Sequence, residues 1–133
     1  MKREFKYDSL DHFDYFMFYR RFLIVACDKE DSVIGYIVIT DGNEFGQLYV
    51  NPKHRATDVI HLLRNEAEKW SRKWGFKFVW GVCYDRMAKF HKRLAREYGY
   101  KLAFVESPED RDDGQWKIVV NIEDADEDNN RST

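Results

Sequence analysis

Residues 47–63 read QLYVNPKHRATDVIHLL and join an apolar strand to a helix through a basic loop. The strand breaks at Asn51-Pro52, because proline has no N–H and disfavours helix at the residue before it. Beyond the loop, apolar residues recur at intervals of three and four, which predicts one buried helical face. That face comprises Val59, Ile60, Leu63, Ala67, Trp70 and Trp74. Gly75 is predicted to end the helix, at a position that often needs a positive φ.

The start of this helix is a candidate anion site. Its first N–H groups have no partner within the helix, and Arg55 stands in front of them. A solvated basic loop beside a buried strand and helix explains the same residues, because a short loop motif alone is weak evidence for a ligand.

The order and spacing of these residues resemble the GNAT superfamily of acyl-CoA N-acyltransferases. Members carry Leu-x-Val-x-Pro at the end of their fourth strand, matched here by Leu48, Val50 and Pro52. In the family, a loop Gln/Arg-x-x-Gly-x-Gly/Ala then wraps the pyrophosphate of coenzyme A. Arg55 matches the first position of that loop, whereas its two glycine positions hold Asp58 and Ile60.

These two departures predict a degenerate pyrophosphate loop. Glycine lets a backbone approach a phosphate closely, whereas Asp58 places a carboxylate beside the expected anion and Ile60 adds a branched side chain. The resemblance implies acetyl-CoA as the cofactor. The residues that it implies for cofactor binding are Leu48, Val50, Arg55, Ala56, Thr57, Asp58, Val59, Ile60 and Tyr84.

The segment FHKRLAREYGY, residues 90–100, resembles the family's Phe-Tyr-x-x-Leu-Gly-Phe with one extra helical turn. In the family, that Tyr protonates the departing thiolate. Aligned from Phe90, His91 takes its place; aligned backwards from Gly99, Ala95 does, on the same helical face. An imidazole can act as general acid near neutral pH, although a surface histidine on a basic helix fits equally.

The candidates for a general base are weaker than the candidate acid. Glu44 and, through a water molecule, the phenol of Tyr49 are the residues that could take a proton from an amine. The catalytic candidates are therefore His91, Tyr49 and Glu44. No metal site is predicted, because two cysteines make no zinc motif.

The predicted fold is a single α/β (α+β) domain over residues 1–122, with a mixed, mostly antiparallel sheet and helices on both faces. A helix is predicted first, over Tyr7–Tyr19, from the spacing of Leu10, Phe13 and Met17, with Asp8 or Ser9 as its cap. Strands are predicted at 22–27, 33–40, 45–50, 76–83, 100–105 and 116–122, and a second helix at about 86–98.

The location expected for this chain is the cytoplasm, or a virion if it is phage-encoded. No run of eighteen apolar residues exists, so no membrane span is expected, and the N-terminal MKREFKYD has no apolar signal region. Cys27 and Cys83 lie in predicted strands and are expected to be buried thiols. An acyl-carrying nucleophile is the alternative role of Cys83.

The charge is distributed unevenly. Residues 123–133 contain five acidic residues and one arginine, which leaves 21 basic and 19 acidic residues and a net charge of +2 in the body. This composition predicts a disordered acidic tail. A solubilising end is one interpretation, and an arm that shields a basic face is the other. The net charge of −2 argues against nucleic acid as a partner.

Two functions follow from these observations. The first is an N-acyltransferase that moves an acetyl group from acetyl-CoA, a coenzyme A thioester, to an unknown amine acceptor. The second is a catalytically inactive GNAT-fold protein that binds a protein partner, a class suggested by small phage-encoded and virion proteins of this shape. Arg55, the Val50-x-Pro52 motif and His91 favour the enzyme, whereas Asp58 and Ile60 favour the interaction protein.

Overall fold

The structure is a computed structural model, and it describes residues 12–18, 20–55 and 58–123. The chain divides into two compact units, Met1–Trp70 and Ser71–Thr133. The first contains β1 (His12–Phe18), β2 (Arg21–Cys27), β3 (Val33–Thr40), β4 (Glu44–Val50) and most of α1 (Val59–Lys73). The second contains β5 (Phe78–Cys83), α2 (Asp85–Tyr98), β6 (Lys101–Glu106) and β7 (Trp116–Asn121).

The strands of the first unit form an antiparallel series in the order β1-β2-β3-β4. The turn between β2 and β3 contains no glycine; instead, the Asp28 carboxylate accepts from the N–H groups of Glu30 at 3.0 Å and Ser32 at 2.9 Å. Such side-chain bonds to the following backbone stabilise a turn. The turn between β3 and β4 places Asp41 and Gly42 at φ 54° and 91°.

The predicted N-terminal helix is wrong over residues 12–18, which form strand β1. Phe13 pairs with Ala26 and Phe18 with Arg21, so β1 lies antiparallel to β2. Five of these seven residues are aromatic or apolar, namely Phe13, Tyr15, Phe16, Met17 and Phe18, and such a run also satisfies helical spacing. Pairing with a distant strand therefore decided the outcome, as it often does for aromatic segments. Residues 7–11, which include the predicted caps, lie outside the described residues.

The core of the first unit lies between its strands and α1. Ile24, Ile37, Ile39, Val59 and Leu63 are each at most 1% exposed. Ile60 and Trp70 pack partly against this core cluster, as the predicted row requires. Trp74 lies beyond the end of the helix and is 36% exposed, so the predicted row is one residue too long.

In this unit, β1 also contacts α1 through the side chain of Tyr15. The Tyr15 ring packs edge-on against Trp70 at 5.1 Å between centroids and stacks on Phe22 at 5.9 Å. Its hydroxyl donates a hydrogen bond to the Glu66 carboxylate. Burial, followed by this carboxylate, raises the pKa of Tyr15 to about 12.

The raised pKa of Tyr15 predicts that the folded chain loses stability in alkali as this hydroxyl ionises. A tyrosine whose pKa is higher in the folded than in the unfolded chain contributes fully below pH 10, and this contribution is lost as the pH rises towards 12. The free energy of unfolding, measured by urea titration from pH 9 to 11.5, should fall more steeply for wild type than for Tyr15→Phe. Parallel curves for the two proteins would contradict the proposed role of this hydroxyl.

The second unit has the strand order β5-β7-β6, with both pairs antiparallel. Ala88 of α2 packs with Cys83 and Ile118. The helix begins at Asp85, one residue earlier than predicted, and the Trp116 indole donates to the Asp85 carboxylate. An acidic residue therefore stands in the first turn of α2, which the predicted start at about residue 86 had left out of the helix.

Both helices end as predicted at glycine. Gly75 and Gly99 have φ of 95° and 74°, and each N–H returns to the last helical turn. The N–H of Phe76 bonds the Ser71 carbonyl at 3.0 Å, and that of Tyr100 bonds the Ala95 carbonyl at 3.0 Å. These 6→1 bonds are the Schellman pattern that glycine at this position permits.

The predicted α+β class, with a mostly antiparallel sheet, is confirmed. The boundary at residue 122 and the disorder of the acidic tail stay predictions, because residues 124–133 lie outside the described part of the chain. Within the described residues, neither helix is long and apolar enough to cross a membrane.

Candidate active site

The path of the chain after β4 is fixed by local hydrogen bonds. Val50 is 4% exposed, and the next N–H, that of Asn51, donates to the Ile34 carbonyl at 2.8 Å. The Asn51 side chain accepts from the Lys53 N–H at 3.0 Å, and Pro52 opens a short 3₁₀ turn. The predicted break at Asn51-Pro52 is therefore confirmed as a rigid turn out of the strand.

Arg55 connects this loop back to the strand. Its Nε donates to the Val50 carbonyl at 2.9 Å, and its guanidinium lies 6.0 Å from the centre of the Tyr49 ring. Tyr49 in turn stacks on Tyr36 at 5.6 Å. The structure thus brings three predicted site residues, Tyr49, Val50 and Arg55, together. Because Arg55 is exposed, its terminal nitrogens remain accessible to an anion from solvent.

Asp58 is the N-cap of α1. It stands directly before the helix, and its carbonyl accepts the first helical bond, from the Leu62 N–H at 2.9 Å. A carboxylate is favoured at this position, since its charge complements the positive end of the helix dipole. The residue that the family resemblance marks as a departure therefore has a structural role at the place where an anion would bind. Ala56 and Thr57 lie outside the described residues.

Three other predicted cofactor residues use their side chains for packing. Val59 is fully buried, and Leu48 and Ile60 pack partly against the core cluster. Ile60 therefore contacts the core, whereas the sequence interpretation expected it to crowd the loop. The fully buried side chain of Val59 leaves only its backbone to contact a ligand.

A β-bulge in β4 determines where Glu44 and Tyr49 point. Ile37 pairs with Leu48 and Ile39 with Phe45, so two residues of β4, Gly46 and Gln47, stand opposite Val38. The extra residue reverses the alternation of side chains. Glu44 and Tyr49, which strict alternation would put on opposite faces, consequently share one face. The sequence interpretation missed the bulge, although glycine inside a strand is a signal for one.

Glu44 and Tyr49 are nevertheless too far apart to serve one proton transfer. They are five positions apart in β4, which at the rise of a strand is about 15 Å. They stay alternatives for the general base. Glu44 lines an open groove of about 590 Å³ on this face, together with Leu23, Val25, Tyr36, Val38 and Thr40. The groove has apolar walls and two opposite charges, the Glu44 carboxylate and the Arg21 guanidinium.

The remaining candidates, Tyr84 and His91, lie in the second unit. Tyr84 is the N-cap residue of α2, is 55% exposed, and its carbonyl accepts from the Met87 N–H at 2.9 Å. His91 is half-buried and packs edge-on against Phe90 at 5.7 Å. Ala95, the other position suggested for the acid, carries no proton donor, so His91 is the residue of the two that could act.

Cys83 is poorly suited to nucleophilic chemistry. It is 6% exposed, and burial, followed by the charge of Asp85, raises the pKa of its thiol. Burial and Asp14 raise the pKa of the Cys27 thiol likewise. A protonated thiol is a weak nucleophile, so both cysteines fit the packing role predicted for them.

Comparison with known proteins identifies relatives of this fold. The sequence model described as the acetyltransferase (GNAT) family matches residues 2–96. Nourseothricin acetyltransferase has a similar structure, with 18% identity and a TM-score of 0.58. The alignment includes 76% of this chain and 64% of that enzyme. PaiA N-acetyltransferase from Thermoplasma acidophilum, solved in complex with coenzyme A, has 17% identity and a TM-score of 0.59, with 77% and 61% covered.

A spermidine N-acetyltransferase SpeG chimera from Vibrio cholerae and hSSAT is also similar, with 15% identity, a TM-score of 0.61, and coverage of 79% and 68%. At these identities the likeness concerns the fold. The chain spans less than two-thirds of the length of the nourseothricin and PaiA enzymes. No curated protein sequence matches it.

Proposed function

Since this chain belongs to the acetyltransferase (GNAT) family, we propose that it binds acetyl-CoA and transfers the acetyl group to an amine. The observation that carries the proposal is the arrangement at the end of β4. There, Arg55 is held against Val50 and Tyr49, next to the start of α1. A fixed cation at the positive end of a helix dipole is suited to a pyrophosphate.

The chain's own residues supply binding and proton transfer. Acetyl-CoA contributes an activated acetyl thioester. Arg55, at the positive end of α1, would hold its pyrophosphate, and backbone N–H groups near Val50 would polarise the thioester carbonyl. The amine attacks that carbonyl, a C–N bond forms, and the C–S bond breaks. Glu44, or Tyr49 through water, takes the proton from the amine, and His91 donates one to the sulfur.

The acceptor is proposed to be an amine that enters along the groove over β2, β3 and β4. Tyr36, Val38 and Leu23 give this groove apolar walls, and the Glu44 carboxylate lines it together with Arg21. A carboxylate binds a protonated amine and can accept its proton as a general base. The groove is open. An open groove suits an extended amine better than it suits an amine that must be enclosed by the protein.

The predicted contribution of Arg55 can be tested by calorimetric titration with acetyl-CoA. Arg55→Ala should weaken binding by about tenfold, or about 1.4 kcal/mol, because a charge-assisted contact to the pyrophosphate is lost. Lys53→Ala is the matched control, since it removes the same charge from an exposed position in the same loop. Equal weakening by the two substitutions would show that only the net charge of the loop matters.

One observation favours the second candidate function, a GNAT-fold protein that binds a partner and not a cofactor. Asp58 places a carboxylate at the start of α1, where a pyrophosphate would otherwise bind. If wild type and variants lacking this carboxylate both fail to bind acetyl-CoA, the interaction protein replaces the enzyme as the proposed function.

A further inference from the structure

The second unit contains a groove that the proposed reaction does not use. The groove, of about 670 Å³, lies between α2 and strand β6. We call it the α2–β6 groove. It is lined by Lys89, Lys92, Ala95, Arg96, Tyr100, Leu102 and Phe104. Three cations and two aromatic rings face it, and none of its lining residues is acidic.

Within the part of the chain that the structure describes, no acidic side chain forms an ion pair with the cations of this groove. The ammonium of Lys92 lies 5.1 Å from the centre of the Phe104 ring. Across the described residues, neither Lys89 nor Arg96 forms an ion pair. By contrast Arg93, which is on α2 but does not line the groove, pairs with Glu97 at 3.9 Å. Three like charges along one wall raise the local potential and attract an anionic segment.

We propose that the α2–β6 groove binds the acidic segment 124–133 of the same chain. The segment contains Asp124, Asp126, Glu127 and Asp128, and Arg131 is its only cation. The negative charge of the segment complements the positive charge of the groove. A segment of this composition can bind without folding.

The strand register shows where the segment begins relative to the groove. Asn121, at the end of β7, pairs with Lys101 of β6, and Lys101 follows directly after the groove residue Tyr100. Two residues further on, the Glu123 carboxylate pairs with Lys77 at 3.0 Å. Lys77 precedes β5 on the other side of β7, so the segment must cross about two strand spacings, or about 10 Å, to reach β6.

The segment is also long enough to reach every cation of the groove. Ten extended residues span up to about 33 Å. The seven positions from Lys89 to Arg96 cover about 10 Å of helix. The segment can therefore turn back at the end of β7 and pass Arg96, Lys92 and Lys89 in that order. Any outside anion that uses this groove must first displace it.

The contact can be detected in the full-length chain with a nitroxide at residue 130, introduced as Asn130→Cys. The native Cys27 and Cys83 are 3% and 6% exposed, so the label reacts at the new thiol. At low ionic strength, the amide signals of Tyr100, Leu102 and Phe104 should lose most of their intensity. The loss should diminish when salt is added, because salt screens exposed charges.

Two charge-matched pairs of substitutions test the groove itself. Lys89→Gln with Arg96→Gln should restore the signals of the groove residues. Arg86→Gln with Arg93→Gln, which removes the same charge from positions of α2 outside the groove, should leave them broadened. Equal recovery with both pairs would overturn the proposal in favour of a net-charge effect. Unbroadened groove signals in the labelled wild-type background would also overturn it.

A mixed sample distinguishes this chain from a second copy. Spin-labelled chains without ¹⁵N are added to ¹⁵N chains without the label, and the groove signals of the ¹⁵N chains should stay sharp. Broadening in the mixed sample as strong as in the labelled chain would mean that the segment binds a neighbour, and the intrachain proposal would fail.

Discussion

Replacing Asp58 by Asn or Gly is expected to tighten acetyl-CoA binding by about tenfold or more. A carboxylate a few ångströms from a pyrophosphate opposes it by about 1–4 kcal/mol, depending on the local dielectric, and about 1.4 kcal/mol is tenfold in affinity. The two substitutions separate charge from space. Asn keeps the N-cap and removes the charge, whereas Gly also lets the backbone approach a phosphate closely.

Thermal unfolding serves as the stability control for these variants. Asn is as good an N-cap as Asp, and Gly costs only a few tenths of a kcal/mol, so both should unfold near the wild-type temperature. Asp41→Asn removes the same charge from the turn at the other end of β4 and should leave binding unchanged.

Two outcomes would change the interpretation of Asp58. If wild type binds at micromolar levels and neither substitution matters, the carboxylate does not face the pyrophosphate, and the case for the enzyme becomes stronger. If no variant binds, the path of the loop excludes the cofactor, and the chain is an interaction protein of the GNAT fold.

Gly35→Ala is expected to cause a large loss of stability. A Cβ on Gly35 would lie 2.8 Å from the Tyr49 carbonyl oxygen and 3.0 Å from Cδ1 of Leu63, which is itself fully buried. A neighbouring strand and α1 must therefore move. Overpacking of this kind costs about 1–3 kcal/mol. For a chain of this size, the Tm should fall by about 4–12 °C, measured by differential scanning calorimetry.

Gly46→Ala is the matched control for this substitution. Its Cβ would find only the Val38 carbonyl oxygen, at 3.6 Å, which is an ordinary van der Waals contact. The Tm of Gly46→Ala should stay close to that of wild type. Similar losses for the two variants would show that removal of any strand glycine, and not the close approach at Gly35, is the cause.

Local chemistry made several elements predictable from the sequence. Pro52 ends β4 because it lacks an N–H, and Gly75 and Gly99 end the helices because they accept a positive φ. The spacing of apolar residues identified α1, and the β-branched residues of β3 identified a strand. Each signal acts within a few residues of the structure that it specifies. Arg55 was found in the same way, from its place beside the predicted start of a helix.

The tertiary structure decided what depends on distant partners. Residues 12–18 are a strand because β2 pairs with them, although their apolar spacing also fits a helix. Glu44 and Tyr49 share a face because β3 accommodates a bulge. Asp58 became an N-cap, and Tyr15 acquired its raised pKa, only when α1 took its position. In each case the sequence permitted more than one conformation, and the burial and hydrogen bonds that selected one came from residues far along the chain.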